Sequence, residues 1–176
     1  MRNKELYDNH NIESNDNVKN KEKRIDSNHF ASKYRLKENV EYNVNAYSYE
    51  VDSSGRIKKC AGKLYLKEGK RNLDQQRQAG NKYRKETDDG GHIIAKRFNG
   101  SGRIDNIVAM DSSLNRGEYR KLENQWAKEI KNGNKVYVEI KLKYPRDNER
   151  PERITIKYRI EDKNGEVRNE RRVFKN

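Results

Sequence analysis

From residue 34 onward the chain alternates in a way that residues 1–30 do not. Val40, Tyr42 and Val44, then Ala46 to Tyr49, carry near-alternating β-branched and aromatic residues and predict one strand. Asp52-Ser53-Ser54-Gly55 reads as a turn, and Arg56 to Leu66 as the returning strand of a hairpin. Residues 69–87 are polar and read as a loop. Asp88-Asp89-Gly90-Gly91 looks like a further turn, with a short apolar strand over His92 to Ala95 and a return strand over Ile104 to Met110. Glu118 to Lys131 is the strongest helix, since Tyr119, Leu122, Trp126 and Ile130 recur at three- and four-residue steps, with Gly133 as its stop. Val136 to Leu142 and Ile154 to Ile160 alternate as strands, and Asn164-Gly165 marks a hairpin into Val167–Phe174. Strands on both sides of a central helical unit give an α+β fold with a mostly antiparallel sheet.

The first 30 residues are rich in Asn, Lys, Asp and Glu without a hydrophobic period, which reads as a disordered hydrophilic linker ahead of a single domain over residues 31–176. His10 and His29 fall in that linker and are expected to be solvated. The core must be lean, because 31% of residues are apolar and 39% charged. Eleven tyrosines supply much of its bulk, with hydroxyls able to remain in water.

Charge narrows the partner. The linker holds six basic and six acidic residues, so the formal +13 belongs entirely to the domain. Such a field suits a polyanion, nucleic acid before an anionic membrane, since there is no basic amphipathic helix with an apolar face. No run approaches the ~18 apolar residues of a membrane span, and no signal peptide is visible. That does not make the chain cytosolic: it reads as the tail of a longer exported polypeptide, with a cytoplasmic location as the alternative. Cys60 is alone, which excludes an intrachain disulfide and a cysteine zinc site.

Candidate chemistry concentrates between Asp88 and Trp126. His92, the one histidine of the predicted domain, has the intrinsic pKa of a general base. Asn115 offers a neutral oxygen to Mg²⁺, an ion that sits on few protein ligands, and Glu123 follows two helical turns later. Asp88 and Asp89 are candidates for orienting the imidazole or closing a turn. Taken singly, each residue has a plainer explanation: a packed histidine, a helix-capping asparagine, or a surface ion pair of Glu123 with Arg116 or Arg120.

Their order resembles the non-specific DNA/RNA endonuclease family with a ββα-metal active site. The matching residues are Asp89-Gly90-Gly91-His92, Asp105-Asn106-Ile107, and Leu114-Asn115-Arg116-Gly117-Glu118-Tyr119 followed by Leu122-Glu123. The resemblance implies that His92 is the base, that Asn115 binds Mg²⁺ (Mn²⁺ substituting), and that Glu123 holds water of the metal's shell. Asp89 and Asn106 are carried over as further members of the site, Asn106 in a structural or supporting role. The longer pattern is similar to the C-terminal nuclease domains of bacterial polymorphic toxins, including the LXG type. That likeness implies delivery into target cells and an acidic immunity protein as partner. Two departures stand out: the arginine of the family's Asp-Arg-Gly-His motif is Gly90, and one found a turn after the glutamate is Ala127. Arg71, Arg77 and Arg84 are the candidates for replacing that charge at the phosphate. The expected activity is Mg²⁺-dependent cleavage of DNA, with RNA as a second substrate. The alternative is a basic binding module without catalysis.

Overall fold

The computed structural model describes residue 26 and residues 28–176. The expected linker up to residue 25, with His10, lies outside the described residues. A short hairpin comes first, β1 (Phe30–Ser32) with β2 (Arg35–Leu36). Then follow β3 (Glu41–Val44), β4 (Tyr47–Val51) and β5 (Ile57–Lys63). The stretch expected as one strand over 40–49 is two, because Asn45 takes a left-handed conformation (φ 57°) and turns the chain back, pairing Tyr42 with Tyr49.

The expected loop over 69–87 contains α1 (Leu73–Gln78), a single turn and a half whose N-terminus is capped by Asn72, and a 3₁₀ turn at Asn81–Tyr83. Strand β6 (Asp88–His92) begins where a turn was expected, and it pairs along its length with β7 (Ile107–Asp111). Position 90 shows why an Asp-Asp-Gly-Gly sequence extends instead of turning. The backbone of α1 lies so close that a Cβ on Gly90 would run into the Gln76 carbonyl. Glycine there serves close packing.

After β7 the chain enters α2 (Ser112–Leu114), passes through a π turn at Asn115–Tyr119 that is kinked at Gly117 (φ −102°, ψ −105°), and continues as α3 (Arg120–Lys131). This helical segment starts six residues before the expected Glu118, because the Asp111 carboxylate accepts from the Ser113 and Leu114 amides and forms the cap. Asn115 is therefore a helical residue and not the cap. The chain ends with β8 (Lys135–Lys143), β9 (Arg153–Glu161) and β10 (Val167–Lys175).

Six strands form one antiparallel sheet in the order β10-β9-β8-β5-β4-β3. The α+β, mostly antiparallel fold is as the alternation predicted. Leu122, Trp126 and Ala127 of α3 are buried in the same core as Val136, Val138 and Ile140 of β8 and Ile156 and Tyr158 of β9. Trp126 meets the Tyr158 ring edge-on at 5.5 Å between centroids.

The tyrosines do more than fill this core. The hydroxyls of Tyr42, Tyr47 and Tyr119 donate to the carbonyls of Asp105, Phe98 and Ile93, and that of Tyr49 to Asn106 Oδ1, at 2.6–2.9 Å. These are buried bonds to the loop joining β6 and β7, not wet hydroxyls. The sheet thus grips the segment that follows His92. His29 is a second correction. It is buried, stacks on Tyr42 at 3.9 Å, and lies 2.9 Å from Asp105 Oδ2, so packing begins before residue 30.

Candidate active site

Strand β6, α1, the π turn and the first turns of α3 face an open cleft of about 710 Å³. His92 at the end of β6, Asn115 in the π turn and Glu123 in α3 all line it, as do Asp89, Gly90 and six arginines at positions 71, 77, 84, 97, 116 and 120. His92 and Glu123, 31 positions apart in sequence, are thus brought to one space.

His92 is largely withdrawn from solvent. Burial, with the positive charges of Arg71 and Lys96 adding to it, pushes its pKa down from 6.5 to about 4. The ring is neutral at physiological pH, as an acceptor of protons must be. Its Nε2 is buried without a hydrogen-bond partner among the described residues. Neither aspartate touches the ring, contrary to expectation. Asp88 instead forms a buried two-point ion pair with Arg150 (2.7 and 2.8 Å). Burial alone would raise the Asp88 pKa, but the bonds from Arg150 and the Lys85 amide outweigh it and hold the carboxyl below its ordinary range.

Asp89 is engaged by the π turn. Its Oδ2 accepts from Asn115 Nδ2 at 2.9 Å and from Arg116 Nε at 2.8 Å, while Oδ1 accepts from Arg116 Nη2 at 2.6 Å. With Nδ2 so engaged, the Asn115 amide presents its Oδ1 elsewhere, a neutral oxygen suited to a hard cation. Glu123 is half-buried, and no ion pair or hydrogen bond ties it to Arg116 or Arg120. Burial raises its pKa from 4.5 to about 7, against the pull of Arg97 and Arg120. A carboxylate held short of partners in a cationic cleft that Asn115 also lines fits a hydrated divalent ion. No cluster of three or more His, Cys, Asp or Glu exists among the described residues, so a site with several anionic ligands is not on offer.

Asn106 does not face the cleft. It is wholly buried, its Nδ2 donates to the carbonyls of Ile94 and Ser101, and its Oδ1 accepts from the Ile94 amide and Tyr49. Every hydrogen-bonding position of the amide is occupied by protein. It is a brace for the loop after His92.

The three arginines singled out from sequence differ. Arg84 is committed to structure, donating to the carbonyls of Gln76 (2.6 Å) and Asp88 (2.7 Å) and so binding α1 to β6. Arg71 and Arg77 are exposed on the cleft with no ion pair within 4 Å among the described residues. Arg97, Arg116 and Arg120 were missed as cleft cations. Arg120, three residues before Glu123 on a helix, shares its face, and that spacing was readable. Arg97 had no such signal, because it arrives from the β6–β7 loop and is fixed by a 2.7 Å bond to Asn124.

Comparison with known proteins gives the same picture. Residues 38–162 match the family model described as DNA/RNA non-specific endonuclease. The chain is 38% identical over 148 residues to type VII secretion system protein EssD of Staphylococcus aureus strain USA300, covering 80% of this chain and 24% of that protein. EssD of strain NCTC 8325 / PS 47 matches equally. The chain thus spans about a quarter of the length of these relatives. Among solved structures, a chain of the EndoG/EndoGI complex superposes with a TM-score of 0.59 at 15% identity, over 77% of this chain and 74% of that one.

Proposed function

The chain belongs to the DNA/RNA non-specific endonuclease family, and from that premise we propose that it is the Mg²⁺-dependent nuclease domain of a longer, exported toxin, cleaving DNA and also RNA. The single observation that carries this reading is the gathering of His92, Asn115 and Glu123 around one cationic cleft.

In this reading His92 takes the proton of the attacking water. With Nε2 buried, acceptance falls to Nδ1. Asn115 Oδ1 would hold the ion, Mg²⁺ or Mn²⁺ in its place, with the Glu123 carboxylate on its water shell, and the ion would supply charge neutralisation at the phosphate and at the leaving 3′ oxygen. Asp89 keeps the Asn115 amide turned the useful way. Arg71 and Arg77 contact backbone phosphates, giving strong salt dependence and little base preference. Arg84 does so only with whatever donors remain after bracing α1.

The wider biology rests on the EssD likeness and the domain's charge. A secretion-system relative fits export as part of a larger polypeptide. A producer of such a nuclease needs protection, and an acidic immunity protein would complement the +13 chain. A binding module without catalysis is set aside, because the family is one of endonucleases.

Digestion of supercoiled plasmid with and without EDTA tests the metal role. Cleavage is expected to stop in chelator, to return with Mg²⁺, and to be weak at the same Mg²⁺ concentration in Asn115→Ala. Full activity in EDTA would refute it.

A further inference from the structure

We propose that Arg116 is a substrate-phosphate contact, aligned by Asp89, that stands in for the motif arginine for which position 90 has no room. This deepens the nuclease reading and rests on it.

Gly90 occupies the motif position. Its Cβ direction is filled by the Gln76 backbone of α1, so no side chain can leave β6 there toward the phosphate. The charge has to come from another element, and Arg84 is already tied to two carbonyls. The kinked turn at Asn115–Tyr119 offers an alternative. There consecutive residues 115 and 116 meet the same carboxylate, with Asn115 Nδ2 and Arg116 Nε both on Asp89 Oδ2. Arg116 also reaches Oδ1 through Nη2, so its plane is fixed by a two-point bond.

A guanidinium has five N–H donors and this pair engages two of them. The Arg116 side chain is 71% exposed, so the remaining donors stand open on the cleft wall, next to the amide assigned to the ion. One carboxylate therefore sets the direction of both neighbours, and a phosphate meeting the ion also meets a pre-aligned fork. A surface ion pair with no such task would have no reason to share its acceptor with Asn115.

The test separates contact from bracing. Binding of a fluorescent DNA duplex is measured in EDTA across a salt series, in a His92→Ala background that needs no turnover. Arg116→Ala should weaken binding about tenfold and make the log K against log salt slope shallower by about 0.9, the loss of one phosphate contact. Arg116→Lys keeps the charge and loses the fork, so it should retain the slope with weaker binding. In the otherwise unaltered enzyme, Arg116→Ala should raise KM more than it lowers kcat. If Arg116→Ala leaves affinity and slope unchanged and lowers kcat alone, Arg116 merely holds Asp89 in place and the proposal is overturned. Thermal unfolding of each variant identifies any that fail to fold, for which Arg116→Gln is the replacement. Absence of cleavage by the wild-type protein would defeat the nuclease reading by itself, while the binding slopes would still decide the role of Arg116.

Discussion

Two ionisable side chains in the cleft are displaced from their ordinary behaviour in ways that suit opposite tasks. His92, lowered to about 4, is neutral over the whole physiological range. Glu123, raised to about 7, is half-ionised near neutrality until a cation arrives. Because the ion needs the carboxylate, affinity for Mg²⁺ should fall as pH drops below 7, approaching tenfold per unit, and Glu123→Gln should bind weakly with no such slope. Calorimetric titrations at pH 5.5 and pH 8 check this, and equal affinities would contradict it. Stability follows the same shifts. The raised Glu123 contributes stability that is complete below about 4.5 and lost as pH rises through about 7. The lowered His92 contributes stability present above 6.5 and lost as pH falls through about 4.

At this scale the sequence disclosed His92, Asn115 and Glu123 as cleft residues through order and spacing. It concealed what each aspartate and arginine touches. Asp88 and Asp89 are neighbours in sequence, yet one pairs with buried Arg150 and the other lines the cleft and pairs with Arg116. Nothing local distinguishes Arg84, a brace, from Arg77, an open cation.

Among the elements, the unit of β6, β7, the π turn and α3 carries the site, and the rest of the fold holds it still. Tyr119 of the π turn fixes the Ile93 carbonyl, Asn106 fixes both polar groups of Ile94, and Arg150 fixes Asp88. Helix α1 closes the unit from the side of Gly90. Restoring the family arginine by Gly90→Arg should therefore damage the protein instead of improving it. The collision is with backbone, so a loss of about 3 kcal/mol or more is expected from a urea midpoint. A Gly90→Arg protein as stable as the parent, and more active, would show that α1 does not occupy that space. The short α1 was illegible beforehand, because six residues with Gln75 as the one buried member leave no apolar stripe to read. Strands β8 and β9 were legible because their buried positions alternate without interruption.

For the whole molecule, one six-stranded sheet backs the helix that carries Glu123 and, through its tyrosines, the loop behind His92. The alternating pattern revealed the sheet's class, whereas its strand order comes from pairings such as β5 with β8 that are remote in sequence. The +13 charge does not build the fold; it raises the local concentration of phosphates at a cleft already shaped for them. Activation of the attacking water in that cleft is the step on which the nuclease function turns. The most direct measurement is the cleavage rate of supercoiled plasmid by His92→Ala in saturating Mg²⁺, alongside the wild-type protein. The rate should drop about 10²–10⁴-fold, the contribution of a positioned general base, with thermal unfolding showing a folded variant. Cleavage at the wild-type rate would contradict it.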